Sequence, residues 1–156
     1  MVSKIVDLKH LSGVGGILLH GCYDILHIGH VRQIKQARAL SKELPLIVTL
    51  TADRFIRKGP GRPAFQADIR AEVLEAMEDV DFVAIVEEAT GLSAIDTIKP
   101  AYYVKGVEYE CRGGIAELER IAVESYGGKM VYTERWSSSS ALFERVMHAL
   151  AAGPCD

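Results

Sequence analysis

The feature that most constrains how this chain can fold is its alternation of short, continuously apolar runs with longer amphipathic stretches. The runs are Gly16–Gly21 (GILLHG), Leu46–Leu50 (LIVTL), Phe82–Val86, Ala101–Val104 and Met130–Tyr132. Apolar runs without polar alternation read as strands buried on both faces. Between them the period lengthens to that of a helix. Gly29–Ser41 places Val31, Ile34, Ala37 and Leu40 or Ala39 on one face, and Ala67–Glu78 does the same with Ile69, Val73, Ala76 and Met77. Leu92–Ile98 is a short helix stopped by Pro100, and Gly114–Ser125 and Ser140–Leu150 are helical as well. Asp53–Phe65, with Gly59, Pro60, Gly61 and Pro63, reads as a loop. Strands and helices in this order imply an α/β fold with a doubly wound, five-stranded parallel sheet and helices on both faces. Ligands of such sheets sit beyond the carboxyl ends of the strands, where the strand order reverses. Function is therefore sought in the residues that follow the strands.

At 156 residues the chain is expected to form one domain, 1–156, with a core at about 16–150. Nearly half of it is apolar and a quarter charged, a composition of globular rather than disordered chains. A formal net charge of −3 argues against binding nucleic acid through overall charge. Cys22, Cys111 and Cys155 are odd in number and far apart, which argues against a disulfide framework or a structural zinc site. The apolar stretch Val14–Leu19 is too short for a signal peptide's core, and no segment approaches the roughly 20 apolar residues that span a bilayer. A cytoplasmic location without membrane partners is the resulting expectation.

Three places carry chemistry. After the first strand comes Gly21-Cys22-Tyr23-Asp24-Ile25-Leu26-His27-Ile28-Gly29-His30, a turn that opens a helix at His27 and His30. Helix N-termini attract phosphate, residues three apart share a face, and each imidazole can donate to a phosphate oxygen, more strongly when protonated. Gly29 leaves room for a phosphate to approach the backbone. Two histidines so spaced also cap helices or bind metals, but a metal pair needs a third ligand and only Asp24 is at hand. The second place is a Gly/Pro loop in which Arg54, Arg57, Lys58, Arg62 and Arg70 are opposed only by Asp68, a concentration of charge that suits a triphosphate or phosphorylated substrate as well as a solvated loop. The third comprises Lys105-Gly106 after the fourth strand and Ser137–Ser140 before the last helix, where hydroxyls and amides serve as caps or meet phosphate.

The first of these segments resembles the G-x-F-D-x-x-H-x-G-H signature of the cytidylyltransferase-like nucleotidyltransferases, with Tyr23 where that family has Phe. The four letters HIGH also match class I aminoacyl-tRNA synthetases, but the preceding Gly-x-aromatic-Asp and the length favour the small transferases, and no KMSKS-like loop is present. Lys58-Gly59-Pro60-Gly61-Arg62-Pro63 followed by Arg70 is similar to the K-G-x-x-R-P … R stretch of the ADP-heptose synthase adenylyltransferase domain. Tyr103-Val104-Lys105-Gly106-Val107-Glu108-Tyr109 is similar to its V-K-G-x-D-Y stretch, with Glu108 for Asp. Ser138 and Ser139 match the family's phosphate-binding S-T-T or S-S element. The Arg that the glycerol-phosphate and choline-phosphate branches carry five residues earlier is Thr133 here, with Arg135 offset.

The resemblance implies a Rossmann-like fold and a nucleotidyltransferase in which an acceptor phosphate attacks the α-phosphorus of a nucleoside triphosphate and pyrophosphate leaves. It implies catalytic roles for His27, His30 and Lys58, and nucleotide binding by Gly21, Cys22, Tyr23, Asp24, Gly29, Lys105, Gly106, Ser138 and Ser139. Asp53, Arg62 and Arg70 would bind the acceptor. Mg²⁺ would be held mainly through the nucleotide phosphates, with no dedicated protein ligands. Transfer of AMP from ATP to a sugar 1-phosphate is the favoured reaction. The alternatives are a CTP-dependent enzyme acting on an alcohol phosphate, an FMN adenylyltransferase, and a regulatory module that binds nucleotide without turnover. Family members are often homodimers, so a homodimer is expected. Trp136 either covers the base or packs.

Overall fold

The computed structural model describes residues 3–111, 113–134 and 144–148. Its order is β1 (Ile17–Gly21), α1 (Ile28–Leu40), β2 (Leu46–Thr51), α2 (Ala67–Glu75), β3 (Phe82–Val86), α3 (Leu92–Ile98), β4 (Tyr102–Gly106), α4 (Ile115–Glu124) and β5 (Lys129–Thr133), with 3₁₀ turns at Leu8–Leu11, Asp53–Phe55 and Val107–Tyr109. The five strands form one sheet in the order β3-β2-β1-β4-β5, every pair parallel. This is the doubly wound, Rossmann-like arrangement that the alternation of runs implies. Of the closing helix expected at Ser140–Leu150, only 144–148 lies within the described residues, and it is helical. Arg135, Trp136, Ser138 and Ser139 lie outside them.

Successive strand residues serve opposite layers. Ile17, Leu19, Val48, Leu50 and Val104 meet Ile34 and Ala37 of α1 and Ala71 and Leu74 of α2. Leu18, Ile47, Ala84 and Tyr103 meet Ala94, Ile95 and Ile98 of α3 and Val123 of α4. Both faces are dry, which is why the strands read as unbroken apolar runs; each fully buried Leu or Ile contributes about 1.5–3 kcal/mol. Gly16, just before β1, has φ +89°, and a Cβ there would stand 2.4 Å from the Pro45 carbonyl oxygen, so only glycine lets this strand start against the loop before β2.

Two features add to the sequence expectation, and a third, the face of α2, departs from it. Lys4–Val6 forms a short parallel bridge to the outer edge of β3, with Val6 N donating to Val83 O and Val83 N to Lys4 O. The inner face of α2 consists of Arg70, Ala71 and Leu74, whereas Ile69 and Val73 are each 45% exposed. The helix rotates because a buried guanidinium with enough acceptors can take a core position, as described below. In α4 the inner positions are Ala116, Glu119 and Val123, leaving Ile115, Leu118 and Ile121 half-exposed.

Candidate active site

The strand order reverses at β1, and there the sheet opens. β1 pairs with β2 from Ile17 to Gly21, but with β4 only as far as Leu19↔Val104. β4 continues with β5 to Gly106↔Thr133. A crevice thus begins between His20-Gly21 and Lys105-Gly106, where open α/β sheets bind ligands.

The turn after β1 is held from both ends. Tyr23 is buried in the left-handed region at φ +49°, a conformation that costs a non-glycine residue about 1 kcal/mol or more. Its ring packs on His30, with centroids 5.1 Å apart, and burial pushes its phenol pKa up. Asp24 is buried, and its carboxylate accepts from the amides of Ala64 (2.7 Å) and Phe65 (3.2 Å) and from the guanidinium of Arg62, itself buried. Burial pushes the Asp24 carboxyl up, but these donors outweigh it and hold it below the usual range. Asp24 therefore fastens the basic loop to the turn after β1, and Arg62 is its counter-ion.

The first turn of α1 is capped by its own histidines. His27 is the N-cap; its Nδ1 accepts from Gly29 N at 3.1 Å, and His30 Nδ1 accepts from His27 N at 3.3 Å. A backbone N–H can only donate, so each Nδ1 carries the lone pair and each neutral ring holds its proton on Nε2. The caps use the Nδ1 edges of both rings and leave the Nε2 edges for other contacts; His27 Nε2 is covered from solvent in this structure. The Gly29 amide is taken by His27 Nδ1. The ring centroids lie 4.0 Å apart. Burial, with His27 and Lys58 adding repulsion, holds His30 down at about 3; His27 is also lowered, by burial and then Lys58. Both rings are neutral donors at pH 7 in the ligand-free protein, rather than imidazolium ions.

The five basic residues of the loop go to different places. Arg54 pairs with Glu87 at 3.0 Å on the surface. Arg57 and Lys58 are exposed, and the charge of Lys58 acts on both histidines. Arg62 is turned inward, as above. Arg70, 2% exposed, donates to Phe65 O (2.9 Å), Thr51 O (2.8 Å), Cys22 O and Asp53 Oδ1 (2.6 Å). Asp53 also accepts from Ala67 N at 3.2 Å, at the start of α2. Arg70 therefore bolts the turn after β1, the end of β2 and the loop together. Cys22, half-buried, offers its carbonyl to that bolt.

On the far side of the crevice, Lys105 Nζ lies 2.9 Å from the buried carboxylate of Glu119 on α4. Between the walls, His20 Nδ1 lies 3.0 Å from Thr49 Oγ1, and its Nε2 lies 3.4 Å from Thr51 Oγ1. Burial, then the charge of Lys105, holds His20 neutral with a pKa of about 3. Sequence reasoning passed over His20, Thr49, Thr51 and Glu119. The available signal was polar side chains at the carboxyl ends of otherwise apolar strands; Glu119 offered none. Among the described residues no group of three His, Cys, Asp or Glu side chains could hold a metal, and no helix is long and apolar enough to cross a membrane.

The sequence profile of the cytidylyltransferase-like family matches residues 18–141. The bifunctional protein HldE of Geobacter sulfurreducens is 33% identical over 153 residues, covering 96% of this chain and 30% of that protein. That of Trichlorobacter lovleyi is 36% identical over 132 residues, covering 83% and 26%. The chain thus spans under a third of these relatives. Among solved structures, the lipopolysaccharide core biosynthesis protein of Thermoplasma volcanium superposes with a TM-score of 0.60 at 22% identity, covering 79% of this chain and 97% of that one. The pantoate-β-alanine ligase of Francisella tularensis gives 0.59 at 16%, covering 89% and 69%. At these identities the two structures establish the fold.

Proposed function

The chain belongs to the cytidylyltransferase-like family of nucleotidyltransferases, and on that premise we propose that it transfers AMP from ATP to a sugar 1-phosphate. An acceptor phosphate oxygen forms a bond to the α-phosphorus, the bond from that phosphorus to the α–β bridging oxygen breaks, and pyrophosphate leaves with the electron pair. The observation that carries the reading is the self-capped turn at the crevice mouth, which puts the protons of His27 and His30 on Nε2. Two neutral N–H donors can follow the charge that develops on the α-phosphate and bridging oxygen without themselves changing protonation, and prepositioned donors of this kind supply much of the rate in phosphoryl transfer.

Lys58, exposed beside the histidines, takes the β/γ-phosphates or brings in the acceptor phosphate. Gly21, Cys22, Tyr23, Asp24 and Gly29 form the near wall of the nucleotide site, Lys105 and Gly106 the far wall, and Ser138 and Ser139 anchor the triphosphate. Asp53, Arg62 and Arg70, expected to touch the acceptor, support it instead by holding the loop that carries Lys58. The acids nearest the turn, Asp24 and Asp53, are engaged by guanidinium and amide donors, a donor set that fits a Mg²⁺ ion arriving with the nucleotide. When bound, that ion neutralises phosphate charge. The homodimer stays part of this proposal.

The sugar assignment leans on Lys58–Pro63 and Tyr103–Tyr109, with HldE proteins among the relatives. Pyrophosphate release by the purified chain is the test, with ATP or CTP against sugar 1-phosphates, glycerol 3-phosphate and FMN. Release with ATP and a sugar 1-phosphate is expected. A preference for CTP with an alcohol phosphate, or for FMN, would replace the substrate, and no release with any pair would sink the reaction.

A further inference from the structure

We infer that Glu119 is a positioning residue for nucleotide binding: one buried carboxylate ties the loop after β3 to the ammonium of Lys105 and so sets the far wall of the crevice. The inference rests on the nucleotide reading above. Glu119 is 1% exposed, at the centre of the inner stripe of α4, where a carboxylate is costly unless both oxygens are engaged. Oε1 accepts from Gly91 N at 2.7 Å; Oε2, without a hydrogen bond, is compensated by the charge of Lys105 Nζ 2.9 Å away. Gly91 can come so close because it lacks a side chain; a Cβ there would stand 2.4 Å from the Tyr103 hydroxyl oxygen and 3.1 Å from Glu119 Oε1.

The ammonium is also held over two rings, Tyr103 at 5.4 Å and Tyr109 at 4.9 Å. Tyr109 ends the 3₁₀ turn Val107–Tyr109 that follows β4. One carboxylate and one ammonium thereby connect α4, the loop before α3, and the turn after β4. A buried ion pair adds little net stability compared with apolar side chains of similar size, but it fixes directions that apolar packing leaves loose. Because the Lys105 head is spent on Glu119 and the rings, its contribution to nucleotide binding runs through the placement of Gly106 and Tyr109 rather than through a phosphate contact.

Two variants test this. Lys105→Met with Glu119→Leu replaces the pair by apolar groups but leaves the buried Gly91 amide without its acceptor, so it should melt about 5 °C below wild type. Its backbone amides at Gly91, which loses its acceptor, and at Glu110, bonded to Val107 O in the turn that Lys105 holds through Tyr109, should exchange with solvent at least about tenfold faster. Its Michaelis constant for the triphosphate should rise about tenfold while kcat stays within about threefold. Glu119→Gln keeps an acceptor for Gly91 but releases Lys105, and should fall between. Wild-type exchange rates in Glu119→Gln and the double variant overturn the inference. So does faster exchange with an unchanged Michaelis constant. A wild-type chain that releases no pyrophosphate from any triphosphate would instead remove the reaction, and with it the nucleotide half of the inference, while the exchange rates still decide the geometric half.

Discussion

Replacing Arg70 by Met separates a bolt from a substrate ligand. The guanidinium donates to three carbonyls, of Cys22, Thr51 and Phe65, and to the carboxylate of Asp53. Met fills similar volume without a donor. A neutral hydrogen bond is worth about 1 kcal/mol net, and one with a charged partner about 1.5–3. Asp53 is 40% exposed and can rehydrate, so its share is discounted, whereas Thr51 O is buried. Every one of these bonds has the charged guanidinium as donor, but removing it also recovers the cost of desolvating that charge, so the net loss comes to about 4 kcal/mol. For a chain of this size each kcal/mol lowers Tm by about 2–4 °C, so Arg70→Met should melt about 10 °C lower. Urea unfolding followed by circular dichroism gives the free energy directly, with the slope m unchanged. Arg70→Lys keeps the charge but loses the planar fork, and should recover less than half of the deficit. If Arg70→Met instead lost under about 1 kcal/mol while the acceptor Michaelis constant rose at least tenfold, the bolt would be wrong and the acceptor contact right.

Further outcomes follow from the histidines and from Asp24. His30→Ala should lower kcat by on the order of 100-fold or more, with only about 1 kcal/mol of stability lost from the cap; near-normal turnover would remove His30 from the chemistry. His20 and His30 each have a folded pKa of about 3 against 6.5 for an unperturbed ring, so the unfolded chain takes up their protons first. Their contribution is full above pH 6.5 and is lost as the pH falls toward 3, at up to about 1.4 kcal/mol per group per pH unit. Urea midpoints measured from pH 4 to 8 should show this loss, and a flat profile would contradict it. Asp24→Asn should leave Arg62 buried without its counter-ion and cost about 3–5 kcal/mol, read by thermal unfolding; a variant as stable as wild type would mean that the pair does not hold the loop.

The strands were legible because burial on both faces writes itself as unbroken apolar runs, and all five lie within a residue or two of where the runs place them. The turn at His27 and His30 was legible for a similar reason: polar residues crowd where a strand gives way to a helix. The inner faces of α2 and α4 were not. Ile69 and Val73 looked like core positions, but Arg70 finds four acceptors inside and turns the helix by about one residue. Hydrophobic periodicity carries no record of carbonyls arriving from other segments. Glu119 was invisible on the same ground, because its partners, Gly91 and Lys105, are distant in sequence. The basic loop looked uniform for want of knowing that Asp24 and Asp53 would claim two of its arginines.

That claim divides the loop into fixed shoulders and an exchangeable crest. Asp24 clamps residues 62–65, and the 3₁₀ turn Asp53–Phe55, with Arg70 on Asp53, secures the other side. Arg57 to Gly61, all exposed, are left between them. On the proposed reaction, a cassette swap at Arg57 and Gly59 to Gly61 that keeps Lys58 would therefore retune which phosphorylated partner is welcomed while the scaffold beneath stays put.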